Sequence, residues 1–253
     1  MPILTRVESR ATGEVIQIRD LYKSFGQNRV LQGFNLSLNA GENIVVLGKS
    51  GSGKSVLIKC IIGLMKPDQG SIEVFGKNIP DLDIEQLDEI RVKIGFLFQS
   101  NALYDSMTVR ENLEFPLRRH SIQATQEEVD LLVTGALDDV GLVHTIDMMP
   151  VELSGGMRKR IALARTLILN PEIILYDEPT TGLDPITARE IIDLMMEIQK
   201  KYHAASLIIS HDMNCVRLAS DSVIILMDGK RYAQGTYDEL QKMTDPKIKQ
   251  FFE

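Results

Sequence analysis

A glycine-rich loop constrains this chain more than any other feature of its sequence. Residues 48–55 read GKSGSGKS and fit the pattern G-x-x-x-x-G-K-[ST] at every fixed position. The apolar run at 43–47 predicts a buried strand before the loop, and residues 56–62 predict a helix after it. Glycines let backbone N–H groups turn toward a phosphate chain, and the helix N-terminus adds positive potential. The loop therefore predicts a nucleoside triphosphate site.

The residue types of the loop indicate a division of roles. We expect Lys54 to reach the terminal phosphates and the Ser55 hydroxyl to bind Mg²⁺. A chance glycine-rich turn is the alternative, and the flanking strand and helix argue against it. The residues predicted to contact the triphosphate here are Gly48, Lys49, Ser50, Gly51, Ser52, Gly53, Lys54 and Ser55.

Charge and composition exclude several classes of partner. The formal net charge of −7 argues against duplex nucleic acid as the main partner and against direct docking on an anionic membrane surface. No apolar run approaches the roughly 20 residues that span a bilayer, and the N-terminus lacks a signal-peptide core. We therefore expect a cytosolic chain, with Cys60 and Cys215 as buried free thiols in a reducing compartment. Any membrane role would come through a partner.

The order of predicted elements indicates an α/β protein with an insertion. Strand patterns alternate with helix patterns in residues 14–100 and again in 164–253, which predicts a mostly parallel sheet with antiparallel pieces at its edge. Residues 101–163 are mainly helical in pattern and contain capping boxes that begin at Thr108 and Thr125. Residues 1–13 are predicted to be a lead-in, an irregular N-terminal segment before the first strand.

An acidic pair follows an apolar strand far along the chain. Asp177 and Glu178 come directly after the run 173–176. One carboxylate there can hold the water shell of Mg²⁺, and its neighbour can act as general base on a water molecule. An ordinary acidic strand end is the alternative interpretation of the pair taken alone.

A second glycine segment, LSGGM at 153–157, precedes a good helix pattern at 158–165. Its serine hydroxyl and the bare N–H groups of its glycines form a second candidate anion site. A plain helix cap would explain Ser154 and one glycine, but not two loops of the phosphate-binding type in one chain.

Together these segments resemble the ATP-binding subunits of ABC transporters, and the resemblance covers residues 14–253. The segment 153–157 is similar to the family signature, usually Leu-Ser-Gly-Gly-Gln, with Met157 in place of the glutamine. Phe25 matches the aromatic residue that stacks on adenine, although Tyr22 is a nearby competitor. The remaining matches are Gln99 for the Q-loop, residues 181–184 with Asp184 for the D-loop, and His211 for the switch histidine.

The resemblance implies a fold and a mechanism. It implies a single ABC ATP-binding domain over 1–253, with a RecA-like P-loop NTPase core (14–100 and 164–253) and a helical signature subdomain (101–163). Family members form head-to-tail dimers, so ATP would lie between the 48–55 loop of one copy and the signature of the other. The catalytic residues would be Glu178, His211 and Gln99; the Mg²⁺ site would use Ser55, Gln99 and Asp177; and the partner would supply Ser154, Gly155, Gly156 and Asp184.

Several longer segments of the sequence resemble the Mla-type ATPases, which partner Mce-domain lipid transporters. The similar segments are 96–104, 108–118, 152–160, 182–187 and 245–252. The resemblance implies ATP-driven phospholipid trafficking in a bacterial envelope, from the cytoplasmic face of the inner membrane, with a permease, an Mce-domain protein and room for a small accessory subunit. An amino acid importer subunit remains an alternative. A mechanical ATPase of DNA repair or ribosomes and a P-loop kinase are weaker ones.

Overall fold

The computed structural model describes residues 13–120 and 122–253, so the lead-in predicted for 1–13 lies outside them except for residue 13. The strands are β1 (Glu14–Phe25), β2 (Asn28–Asn39), β3 (Asn43–Leu47), β4 (Gln69–Val74), β5 (Lys77–Asn78), β6 (Ile94–Leu97), β7 (Ile173–Asp177), β8 (Ala205–Ser210), β9 (Ser222–Met227) and β10 (Lys230–Gly235). The helices are α1 (Lys54–Ile61), α2 (Ile84–Val92), α3 (Val109–Arg119), α4 (Gln126–Asp138), α5 (Gly155–Leu167), α6 (Pro185–Tyr202), α7 (Met213–Ala219), α8 (Tyr237–Lys242) and α9 (Pro246–Lys249). None of these helices is long and apolar enough to cross a membrane.

The larger sheet has the strand order β10-β9-β3-β8-β7-β6. The five strands from β9 to β6 are parallel, and β10 pairs antiparallel with β9 at the edge. Every residue of β3, β7 and β8 is buried, as expected for parallel strands that are covered on both faces. The α/β fold with an antiparallel edge is confirmed.

Alternate residues of this sheet enter two separate cores because successive strand side chains point to opposite faces. Ile44 and Val46 pack with α1 and the second sheet. Val45 and Leu47 pack on the other face, with the apolar sides of α3 to α7. The sheet that carries the 48–55 loop is therefore packed on both faces.

The second sheet is antiparallel and has the order β2-β1-β4-β5. Ile16 and Ile18 of β1 pair with Leu38 and Leu36 of β2, and all four side chains are buried. Their alternation with polar residues is the pattern that predicts half-buried strands. The antiparallel part of the fold is thus mainly a sheet of its own.

Helices fill the region between β6 and β7. Both predicted capping boxes are confirmed. The side chains of Thr108 and Thr125 each accept a bond from the backbone N–H three residues on, and the backbone N–H of each threonine donates to the glutamate side chain at that position. Helix α5 begins at Gly155 and ends at Leu167, so it runs across the predicted division at residue 163. The division of the chain into two subdomains stays a prediction.

Candidate active site

Four predicted site segments leave the same edge of the larger sheet. The 48–55 loop follows β3, His211 follows β8, the acidic pair lies at the end of β7, and Gln99 follows β6. Strands β3, β8, β7 and β6 are neighbours and parallel, so their carboxyl ends lie side by side. Ligands of open α/β sheets bind at this edge.

Close approaches require a glycine at two positions of the 48–55 loop, Gly48 and Gly53. Gly53 is the N-cap of α1 with φ 104°, and a Cβ there would lie 2.8 Å from Val30 Cγ1. A Cβ on Gly48 would lie 2.6 Å from Ser52 Oγ. Helix α1 begins at Lys54, two residues before the predicted start, which brings its N-terminus directly to the loop.

The loop presents donors that fit a phosphate chain. Ser52 Oγ is buried and has no hydrogen-bond partner among the described residues. Lys54 is only 5% exposed, and its Nζ donates to the carbonyl oxygens of Gly48 at 2.7 Å and Lys49 at 3.2 Å. An unpaired buried hydroxyl costs about 1–3 kcal/mol, and a phosphate oxygen would remove that penalty.

Lys54, Glu178 and His211 form one connected cluster. Glu178 Oε1 lies 3.5 Å from Lys54 Nζ, and Glu178 Oε2 lies 2.7 Å from His211 Nδ1. Glu178 is 8% exposed, whereas the His211 side chain is largely exposed. The carboxylate is therefore held between a buried cation and an imidazole that reaches solvent.

The backbone of Glu178 adopts a conformation that few residues other than glycine use. Its φ is 51°, and its N–H donates to the Ile209 carbonyl oxygen at 2.9 Å. The left-handed region costs a residue with a Cβ about 1–3 kcal/mol, which the surrounding structure must compensate. The bond to β8 thus fixes the backbone directly after β7 and the direction in which the Glu178 carboxylate is presented.

Ser55 and Asp177 supply a pair of oxygen ligands. Ser55 Oγ donates to Asp177 Oδ1 at 3.3 Å. Burial raises the pKa of Asp177 above its usual range and the Glu178 charge adds to this, while the Ser55 hydrogen bond opposes it. Mg²⁺ prefers one or two carboxylates together with water and substrate phosphates. The pair beside the loop fits that ion.

Gln99 lies at the same edge, but its side chain is exposed and makes no hydrogen bond to a described residue. Its backbone oxygen accepts a bond from Lys159 Nζ at 3.1 Å. The structure therefore places Gln99 near the cluster without bringing its amide to Asp177. Its part in binding Mg²⁺ stays a prediction.

The signature segment lies at the N-terminus of α5, and Asp184 lies at the N-terminus of α6. Ser154 is the N-cap of α5 and accepts the Met157 N–H at 3.2 Å. Asp184 is the N-cap of α6 and accepts two N–H bonds at 3.0 Å. Among residues 13–120 and 122–253, no hydrogen bond or ion pair joins Ser154, Gly155, Gly156 or Asp184 to the 48–55 loop. Their contact with ATP stays a prediction.

Phe25 is the last residue of β1 and is 48% exposed, so it is not a core residue. The Lys23 ammonium lies 5.6 Å from its ring centroid. Tyr22 instead lies against the backbone of Gly33, where an added Cβ would be 3.0 Å from the phenol oxygen. Stacking of adenine on Phe25 stays a prediction.

Two polar side chains that belong to no predicted motif hold loops in place, one beside the site and one at the start of α3. Thr180 Oγ1 donates to Asp212 Oδ2 at 2.9 Å and joins the loops after β7 and β8. Asn112 is fully buried, and its Nδ2 donates to three carbonyl oxygens of residues 104–108. In the sequence, Asn112 could have been noticed because it is a polar residue on the otherwise apolar face of α3.

Comparisons with known proteins agree with this geometry. A protein-family model described as ABC transporter matches residues 31–181. The probable ribonucleotide transport ATP-binding protein mkl of Mycobacterium leprae (strain TN) is 40% identical over 94% of this chain and 69% of its own length. The intermembrane phospholipid transport system ATP-binding protein MlaF of Escherichia coli (strain K12) is 36% identical over 96% of this chain and 90% of its own length. The methionine import ATP-binding protein MetN of Campylobacter jejuni subsp. jejuni serotype O:2 is 35% identical over 94% of this chain and 75% of its own length.

Solved structures share the fold. The dimeric structure of a post-hydrolysis state of the ATP-binding cassette MJ0796, bound to ADP and Pi, superposes with a TM-score of 0.79 at 32% identity. The match covers 87% of this chain and 98% of that chain. The sheet order, the phosphate-binding loop and these similarities lead to one conclusion: the chain belongs to the ABC transporter family, as an ATP-binding, ATP-hydrolysing subunit.

Proposed function

We propose that this chain powers phospholipid trafficking, with ATP held between the 48–55 loop of one copy and the Ser154–Gly156 segment of a second copy. One observation gives the strongest support for a site formed by two copies. The chain carries two segments whose sequence predicts phosphate binding, and no hydrogen bond or ion pair joins them within its described residues. A head-to-tail pair of copies would complete both sites by the same contact.

The first half of the site assigns roles to its side chains. Lys54 would exchange the loop carbonyls for phosphate oxygens, a stronger charge-assisted bond. Glu178 would accept a proton from the attacking water, and His211 would hold the Glu178 carboxylate in place. Ser55 and Asp177 would hold Mg²⁺, with Gln99 acting through water, and the ion would neutralise charge on the phosphates.

The choice of phospholipid rests on similarity. The MlaF match extends over 96% of this chain and 90% of that protein. The methionine residue in the signature, Met157, also resembles the Mla type. The MetN identity of 35% is nearly equal to the MlaF identity, so a small-solute importer is the second candidate. Under either candidate a permease would attach the chain to the cytoplasmic face of a membrane.

A pull-down from the native membrane in mild detergent tests this proposal. The bait would be the tagged full chain and its Glu178→Gln variant, which we expect to retain ATP, with the exposed-residue variant Glu127→Gln as a matched control. Mass spectrometry would identify the proteins, and extraction would identify the lipid.

The outcomes separate the candidates. A multi-pass permease with an Mce-domain protein and phospholipid would support the proposal. A permease with a periplasmic solute-binding protein would move the assignment to an importer. Recovery of no membrane protein with any bait would contradict both and favour a mechanical ATPase.

A further inference from the structure

Helix α5 connects two parts of the site that are far apart in sequence. Its N-terminus is capped by Ser154. In its middle, Lys159 Nζ donates to the Gln99 carbonyl oxygen at 3.1 Å. In its last turn, the Arg165 guanidinium donates to the carbonyl oxygens of Asn101 at 3.0 Å and Ala102 at 2.8 Å. One rigid helix thus bonds three carbonyls of the loop that carries Gln99.

Lys159 is an unusual core residue. It is 2% exposed, and no carboxylate of the described residues lies within 4 Å of its Nζ. Burial lowers the pKa of Lys159 to about 8, and the field of Asp177 only partly opposes this. A buried cation without a partner is destabilising, and an apolar side chain of similar length would fill the position at lower cost. The Lys159 ammonium is stabilised by the hydrogen bond that it donates to the Gln99 carbonyl oxygen.

The loop that Arg165 holds is strained. Asn101 and Ala102 are consecutive residues with φ 65° and 52°, both in the left-handed region. Residues with a Cβ persist there only where surrounding contacts over-determine the backbone. Arg165 supplies two of those contacts, and its guanidinium lies 6.0 Å from the Tyr104 ring centroid. Arg165 of α5 therefore supplies part of what holds this backbone in place.

We propose that Lys159 and Arg165 are positioning residues for ATP hydrolysis, which fix the Gln99 loop to α5 so that Gln99 and Ser154 move as one body. This inference rests on the proposed role of Gln99 at the Mg²⁺ site. Movement of the signature toward a second copy would then carry Gln99 with it.

A double-mutant cycle tests whether Lys159 acts through Gln99. In the full chain, Lys159→Met should lower kcat for ATP by about 10- to 100-fold, the range seen when an outer partner of a metal ligand is removed. KM for ATP should change by less than about twofold, because no hydrogen bond or ion pair of the described residues joins Lys159 to the 48–55 loop. In a Gln99→Ala background, the same substitution should lower kcat by less than about twofold, since coupled residues are not additive.

Two comparisons separate positioning from folding. Arg160→Met is the matched control, because Arg160 lies beside Lys159 on α5 but bonds the Val140 carbonyl and Glu190 instead. It should leave kcat near the wild-type value. Lys159→Arg should restore most of the lost rate, and amide hydrogen exchange at residues 100–103 should be faster in Lys159→Met than in Arg160→Met.

Two results would overturn the inference in different ways. An equal loss of kcat in both backgrounds would show that Lys159 acts independently of Gln99. A wild-type kcat in Gln99→Ala alone would remove Gln99 from the reaction and this inference with it. That second result would leave Glu178 as the proposed base and the phospholipid assignment unaffected.

Discussion

The residues around Lys54 are bonded to one another, whereas those around Ser154 are bonded only within their own helix ends. Lys54 and Glu178 are buried and share an ion pair. Ser154 and Asp184 are exposed, and each caps the helix that it begins. Both regions are built from phosphate-binding types of residue, but only one of them is assembled within a single chain.

The two regions therefore differ in how much of a site each forms within one copy. In the first region, neighbouring parallel strands bring the loop, the carboxylates and the imidazole to one edge of the sheet. The second region begins at the N-terminus of α5, which offers N–H groups and a hydroxyl to solvent. We therefore expect changes in the first region to act within one copy, and changes in the second to act across two copies.

The largest expected effect concerns the first region. Glu178→Gln should lower kcat for ATP by about 10²–10⁴, the range for loss of a general base, because an amide cannot accept the proton. ATP binding should persist, since Lys54 and the loop remain. Steady-state rates and nucleotide-binding titrations would check this, with Glu127→Gln as the control. Near-normal turnover would remove Glu178 from the role of base.

Loss of the Lys54 ammonium should be the next largest effect. Lys54→Ala removes a charge-assisted hydrogen bond to phosphate, worth about 1.5–3 kcal/mol, so Kd for ATP should rise by about 10- to 150-fold. Calorimetric or fluorescence titration of the full chain measures this. Unchanged affinity would contradict the assignment of the phosphate-binding loop.

Gly155→Ala tests whether the second region acts on a second copy. A Cβ on Gly155 meets nothing within 4 Å in the chain itself, so the fold should be unaffected. If a second copy places its ATP against Gly155, the added methyl group would displace that ATP. We therefore expect kcat to fall by about tenfold.

Gly135→Ala is the matched control for this substitution. Gly135 lies within α4, and its added Cβ also meets nothing within 4 Å. Wild-type kcat in both variants would show that no second molecule closes on Gly155.

The smallest effects concern the thiols. Both cysteines are confirmed as buried and free, Cys60 on α1 and Cys215 on α7. Burial raises the pKa of Cys60 to about 11 and of Cys215 to about 12. A thiol reagent at pH 8 should therefore label neither cysteine in the native chain and both after unfolding in urea. Labelling of the native chain would show that the core beneath the first region opens.

The same raised pKa values give a sign for the pH dependence of stability. In the unfolded chain the thiols titrate near 9.0, before those of the folded chain. Their contribution to the free energy of unfolding is complete below pH 9 and is lost as pH rises toward about 11 for Cys60 and about 12 for Cys215. Urea unfolding at pH 8 and pH 10.5, repeated in a variant with alanine at both positions, should show a smaller fall in the variant.

Local sequence predicts the first region well because the strand, the glycine loop and the helix of the motif are consecutive in the chain and adjacent in the fold. The predicted strand at 43–47 has the bounds of β3, and a helix does follow the glycine loop. Both capping boxes are formed because they depend only on residues three apart. The order of the motifs along the chain also identifies the family.

Contacts between distant segments could not be predicted. The bond from His211 to Glu178 exists because β7 and β8 are neighbours with Asp177 opposite Ile209, and sequence does not give this register. Lys159 reads as one residue of a basic helical run, and only the packing of α5 shows that it is buried on the Gln99 carbonyl. The left-handed backbone of Glu178 likewise depends on its bond to β8.

A mixture of two inactive variants tests whether the ATP site is shared between two copies. Lys54→Ala damages the first region, and Gly155→Arg blocks the second, where the chain itself leaves room for a side chain. In a mixed dimer, one of the two sites would combine the intact loop of one copy with the intact signature of the other. We predict that an equimolar mixture recovers up to about a quarter of the wild-type ATPase rate, since half of randomly paired dimers are mixed. A mixture no more active than the mean of its components would contradict a site shared between two copies.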